Sequence, residues 1–229
     1  MQPWSQPLLW KGPAAGGVSS TYASSASVNA TVNPVTAAAM PIGAPSADRL
    51  VVVCIADIRS TAQPRTISSA TIGGIAATIH AQIGNSSGTT GPVLGIISAL
   101  VPTGTTADVV ITRSGITQTI VISVYTLTGY VSATPTGTNT VAVASGDPST
   151  TINVTGPGVA IGIWCGSSGT TATTIWTGLS TKDYDAVVAA VTNTEASSAH
   201  QSGLSTETPR TISATSTMTA ETIVTASWH

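Results

Sequence analysis

Residues 91–127 hold the most regular hydrophobic pattern in the chain. Three runs rich in β-branched residues, 91–101, 107–113 and 118–127, are separated by short Gly/Ser/Thr punctuation, which predicts consecutive antiparallel strands. In the third run Ile120, Ile122 and Val124 share one face, and Val121, Ser123, Tyr125 and Leu127 share the other. Both faces are largely apolar, so this strand is expected in the middle of a sheet with cover on both sides.

The same reading extends outwards. Residues 49–58 form a long apolar strand, and 71–79 a hairpin in which Gly73-Gly74 supplies the positive φ angles of a tight turn. Short strands follow around 141–144, 150–154, 159–165, 173–176, 186–191, 211–215 and 219–228, with turn signals every 8 to 12 residues. The expected fold is all-β, an antiparallel β-sandwich of jelly-roll-like type with about ten strands in two packed sheets. No internal repeat is visible. Residues 1–46 read differently: Pro3, Pro7, Pro13, Pro34, Pro41 and Pro45 interrupt every potential element, and Ser, Ala and Thr fill the gaps. Trp4, Leu8, Leu9 and Trp10 stand out there as apolar anchors. The expectation is an extended N-terminal arm over 1–46, docking through these four residues, and a β-sandwich domain over 47–229.

Composition narrows the partners. Of 229 residues only seven are basic and nine acidic, for a net charge of -2, where an ordinary domain carries about 25% charged residues. With no basic cluster, no nucleic-acid partner is expected. A Ser/Thr surface with little electrostatic self-repulsion instead tolerates packing against copies of itself, so a homo-oligomer is expected. No stretch approaches the roughly 18 apolar residues of a membrane helix, and residues 1–11 lack the basic start and apolar core of a secretion signal. The chain is therefore expected to be soluble and made in the cytoplasm, with no membrane partner.

Catalytic chemistry is sparse. Gly84-Asn85-Ser86-Ser87-Gly88 matches the nucleophile-elbow spacing, but a Thr-Thr-Gly-Pro loop follows where a helix should. His80, His200 and His229 show no metal-ligand spacing, and Asp183 and Asp185 beside Lys182 read as a solvated turn with too few oxygens for calcium. No catalytic residue, metal ligand or cofactor is expected, and the chain is not expected to be an enzyme. Cys54 and Cys165 lie within apolar strands, either as free buried thiols or as a bridge between sheets. Trp164, Trp176 and Tyr184 are candidates for an aromatic platform binding a host glycan, with core packing as the structural alternative.

Several segments taken together carry a resemblance. They are 48–53 (Asp-Arg-Leu-Val-Val-Val), 69–78 (Ser-Ala-Thr-Ile-Gly-Gly-Ile-Ala-Ala-Thr), 101–112, 122–129, 174–178 (Thr-Ile-Trp-Thr-Gly) and the closing 226–228. As a set they resemble a group of β-rich structural proteins of tailed bacteriophages and prophages, over most of 48–228. The resemblance implies a virion component, such as a capsid decoration, head-fibre or tail-attached subunit, with capsid or tail proteins as partners. The group's motifs are turns and strands, so the resemblance transfers no functional residue.

Overall fold

The computed structural model describes residues 16–59, 65–84, 92–167, 169–170, 173–188, 191 and 193–229. The described chain is all-β and antiparallel, with seventeen strands in four sheets where two were expected. The first half holds β1 (Ser19–Asn29), β2 (Val35–Pro41), β3 (Leu50–Ile58), β4 (Ile67–Ile72), β5 (Ile75–Ala76), β6 (Thr78–Gly84), β7 (Val93–Leu100), β8 (Thr106–Arg113) and β9 (Thr119–Thr128). The second holds β10 (Gly137–Val143), β11 (Ser149–Val154), β12 (Gly158–Ser167), β13 (Ile175–Thr177), β14 (Thr181–Val187), β15 (Thr194–Leu204), β16 (Glu207–Thr215) and β17 (Thr219–Trp228).

The sheets stack as four layers. An outer sheet β2-β8-β4-β5 covers an inner sheet β1-β9-β3-β7-β6, and an inner sheet β10-β17-β12-β15-β14 is covered by an outer sheet β11-β16-β13. The two inner sheets face each other. Each interface has its own core. Val51, Val53 and Ile55 of β3 point to the first outer sheet, while Leu50, Val52, Cys54 and Ala56 of the same strand point to the second half. Trp164, Ile223 and Ala160 pack with Ile152 and Ile212 between the second pair of sheets. The central strands of the inner sheets are thus covered on both faces, and β3 and β12 are buried along their whole length. Outer strands keep one wet face, and β11 alternates buried and exposed without exception.

The expected boundary at residue 46 does not hold for the described part of the arm. β1 pairs along its length with β9, β2 pairs with β8, and Val18, Ala30, Val35, Met40 and Ile42 are buried in the cores. Pro34 and Pro41 bracket β2 rather than break it, because a proline at the first residue or the end of an edge strand costs no ladder bond. Trp4, Leu8, Leu9 and Trp10 lie outside the described residues.

The two halves repeat one topology. Reading β10 to β17 against β1 to β9, with β5 left out, reproduces the strand order of both sheets. The irregularities repeat as well: β6 carries one extra residue at His80 against β7, and β14 carries one at Asp183 against β15. Aligning these bulges makes Ser98 the counterpart of His200, Val52 of Ile161, Tyr125 of Ala226 and Val121 of Thr222, through the cross-strand pairing. Under that alignment only Ile122 of β9 meets an identical residue, Ile223, and β3 and β12 share none. The repeat lies in the topology and not in the sequence.

Candidate functional site: the seam between the halves and the cleft at its end

The inner sheets meet in a seam filled by Leu50, Cys54, Tyr125, Ile161, Cys165 and Trp228 among others. β6 lies over β10 and β17, while β1 lies over β15 and β12, so the edge strands of each half cross onto the other. Both bulge residues turn a polar side chain into this seam. His80 Nε2 is 2.7 Å from the Ser98 hydroxyl, and its ring meets the Trp228 ring of the other half edge-on at 5.9 Å. Asp183 accepts from the Tyr125 hydroxyl of the other half at 3.0 Å and lies 2.7 Å from His200 Nδ1. The Tyr22 and His200 rings meet Tyr125 at steep angles, 61° and 59°, each with its ring centroid 5.6 Å away. Ser198 donates to Ser123 at 2.9 Å in the buried seam, and the Ser20 and Ser202 hydroxyls meet at 2.7 Å on its rim.

These contacts correct the reading of residues 182–185 as a solvated turn. Asp183 and Asp185 stand on β14 and are partly buried; Lys182 Nζ holds Asp185 at 2.6 Å and the Thr174 carbonyl at 3.0 Å. His80 is half-buried, and burial pushes its pKa down. Cys54 and Cys165 both face the seam, as their strand faces allowed, and both are free thiols whose pKa burial pushes up. Chemically the seam offers an Asp183–His200 pair capped by Tyr125. Its groups hydrogen-bond one another, and the arrangement fastens one half to the other.

The three residues of the aromatic platform do not come together. Trp164 is fully buried between the second inner and outer sheets, donating from Nε1 to Glu221 at 2.9 Å. Trp176 packs on the same side and donates to Ser197 at 2.9 Å. Tyr184 packs against the seam, on the opposite face of that inner sheet. Gly162 makes the arrangement fit, because a Cβ there would come within 2.9 Å of the Trp176 ring. A glycine inside a strand was the sequence signal for this close approach. The nucleophile-elbow match at 84–88 falls largely outside the described residues. Among the described residues no three His, Cys, Asp or Glu side chains converge to hold a metal ion.

At one end of the seam lies an open cleft of about 710 Å³, lined by Gly16, Gly17, Val18, Tyr130, Val131, Pro157 and His229 among others. The start of the first half, the connection between halves (129–136) and the C-terminus all meet there. Gly17 runs so close to Pro157 that a Cβ would lie 2.3 Å from the proline ring. Gly129, at φ +70°, donates its N–H to Asp48 at 2.8 Å. The Ser46 hydroxyl and this N–H hold the Asp48 carboxyl below its ordinary pKa. The Val131 N–H donates to the His229 carbonyl at 2.6 Å, and Trp228 Nε1 donates to the Ala133 carbonyl at 3.1 Å. Val131 is 77% exposed and Tyr130 partly so. Comparisons with protein-family models, with curated proteins and with solved structures find no match to this chain.

Proposed function

We propose that this chain is a structural subunit of a tailed-bacteriophage virion that assembles with its neighbours through its N-terminal segment. The observation that carries the reading is the position of Gly16 and Gly17. They enter the fold in the apolar cleft beside Tyr130, Val131 and Pro157, at the end of the four-layer stack. Measured from Gly16, a fully extended chain reaches at most about 20 Å at Trp10 and about 40 Å at Trp4, enough to bring Trp4, Leu8, Leu9 and Trp10 onto an adjoining subunit. Burying one such side chain contributes about 1.5–3 kcal/mol, and proline lowers the entropy lost on ordering.

Three further points support the reading. The net charge of -2 on 229 residues leaves little repulsion between copies. Within each half the first strand lies beside the last, and most successive strands alternate between sheets, as a jelly-roll path requires. The resemblance to phage structural proteins points the same way. The separation of Trp164, Trp176 and Tyr184 onto different faces leaves the glycan-platform reading without its site.

The test is removal of residues 1–15 from the full chain, with incorporation into purified particles as the readout. Folding and melting temperature should be unchanged, and incorporation should be lost. Particles that take up the truncated chain at the full-length level would refute the arm's role.

A further inference from the structure

Four observations bear on how the seam came to be. Both halves have the same strand order in both sheets, and both carry a one-residue bulge at the same strand, His80 and Asp183. Each half owns a complete core between its inner and outer sheet, and the seam core is a third, separate set of side chains. The seam contacts are related by an approximate two-fold: each bulge residue pairs with the counterpart position on β7 or β15, and each also touches an aromatic ring from the last strand of the other half, Trp228 and Tyr125, although these rings stand two positions apart under the alignment. Finally, residues 129–136 join the end of the first half to the start of the second, and His229 lies in the same cleft as Gly16 and Gly17.

We propose that the seam is a docking surface between two copies of one two-sheet unit, now fused in tandem, and that it holds the halves together without the covalent link. A two-fold interface presents the same patch from both sides, so residue i touches j and j touches i. Here the patch is the inner-sheet face: Leu50, Val52 and Cys54 on one side, and their counterparts Val159, Ile161 and Ile163 on the other. The partner that fits this surface is a second copy of the unit. The inference is independent of the assembly role proposed for residues 1–15.

The approximate nature of the symmetry also has a physical reading. On the β6 side the backbones of β6, β10 and β17 approach closely. On the β14 side Tyr22, Tyr125, Tyr184 and His200 fill the space, with Ala226 standing where Tyr125 stands in the first half. After fusion the two sides of the patch were free to diverge, because each needs to fit only the other.

Two forms of the full chain test the proposal. In the first, a protease site is inserted between Ser132 and Ala133, both exposed, and cut after folding. The halves should migrate as one species of undiminished mass at about 1 μM, consistent with a specific interface. Separation or precipitation of the cut halves at tenfold higher concentration would overturn the proposal. The second is a circular permutant starting at Ala133, with His229 joined to Gly16 by a short Gly/Ser linker. It should fold with unchanged near-ultraviolet circular dichroism and melt within a few degrees of the parent. A permutant that is insoluble, in a chain whose cut form also falls apart, would show one indivisible domain.

Discussion

The hydroxyl of Thr222 is buried in the seam and makes no hydrogen bond with any described residue. Its counterpart in the first half is Val121, which fills the same position with a methyl. An unsatisfied buried hydroxyl costs about 1–3 kcal/mol, so Thr222→Val should raise stability by about that amount in a denaturant titration. Arg113 is the opposite case. Its guanidinium lies 3.3 Å from Asp57 and also reaches Thr117 and the Ala30 carbonyl under cover, and the Val32 carbonyl at a partly buried edge. Arg113→Ala leaves Asp57 buried beside an empty site and should cost about 3–5 kcal/mol; the double change with Asp57→Asn should recover part of it. His80 supplies a pH dependence. Burial lowers its folded pKa below the unfolded value near 6.5, so its contribution is intact above that value and is lost as pH falls below it. Melting temperature should therefore drop between pH 7 and pH 5, and His80→Gln should flatten the slope.

At the scale of elements, the all-β class and the covered position of β9 were legible, because Ile120, Ile122 and Val124 sit on one apolar face and Val121, Tyr125 and Leu127 on the other. The same observation, taken for β3 and β12 as well, implied more than two sheets. A two-sheet sandwich covers one face of each sheet, so strands apolar on both faces need a layer on either side. β1 was illegible for the reverse reason. As an edge strand of Ser, Thr and Ala it buries little side-chain surface, and its stability comes from backbone bonds to β9. A chain lacking residues 1–46 should accordingly fail to fold, since it exposes the β9 edge and strips β2 from β8, whereas loss of 1–15 alone should be tolerated. Soluble expression and circular dichroism of the two truncations check both outcomes.

For the whole molecule, the pairing of His80 with Trp228 and of Asp183 with Tyr125 was out of reach of the sequence, because each joins residues on different halves. Single-residue bulges turn these side chains inward, and a bulge leaves no mark on hydrophobic periodicity. The repeat was hidden likewise: strand order and bulge positions were kept, while neither identity nor bulk was, as Tyr125 against Ala226 and Val53 against Gly162 show. Charge gave no sign of its own burial either. Arg49 is fully buried, donating to the carbonyls of Gly43, Val101 and Thr103 at 2.7–2.8 Å, where it acts as a tie between loops. Arg49→Met should loosen both loops and lower stability by about 1–3 kcal/mol per abandoned carbonyl at most, with amide exchange rising first in residues 41–46 and 101–105.

The pairing of β1 with β9 and of β10 with β17 sets an order of events at the ribosome. Each half places its first strand beside its last, so it cannot close until its final strand has emerged, and the amino-terminal half closes first. For the time needed to synthesise β10 to β17, a finished half carries Leu50, Val52, Cys54 and Ala56 on an uncovered sheet face. Neighbouring ribosomes on one message then hold several such faces within reach of each other. Slowing translation after residue 136 should lengthen that window and raise the share of chains lost to co-translational aggregation, while slowing it before β9 should leave the yield unchanged.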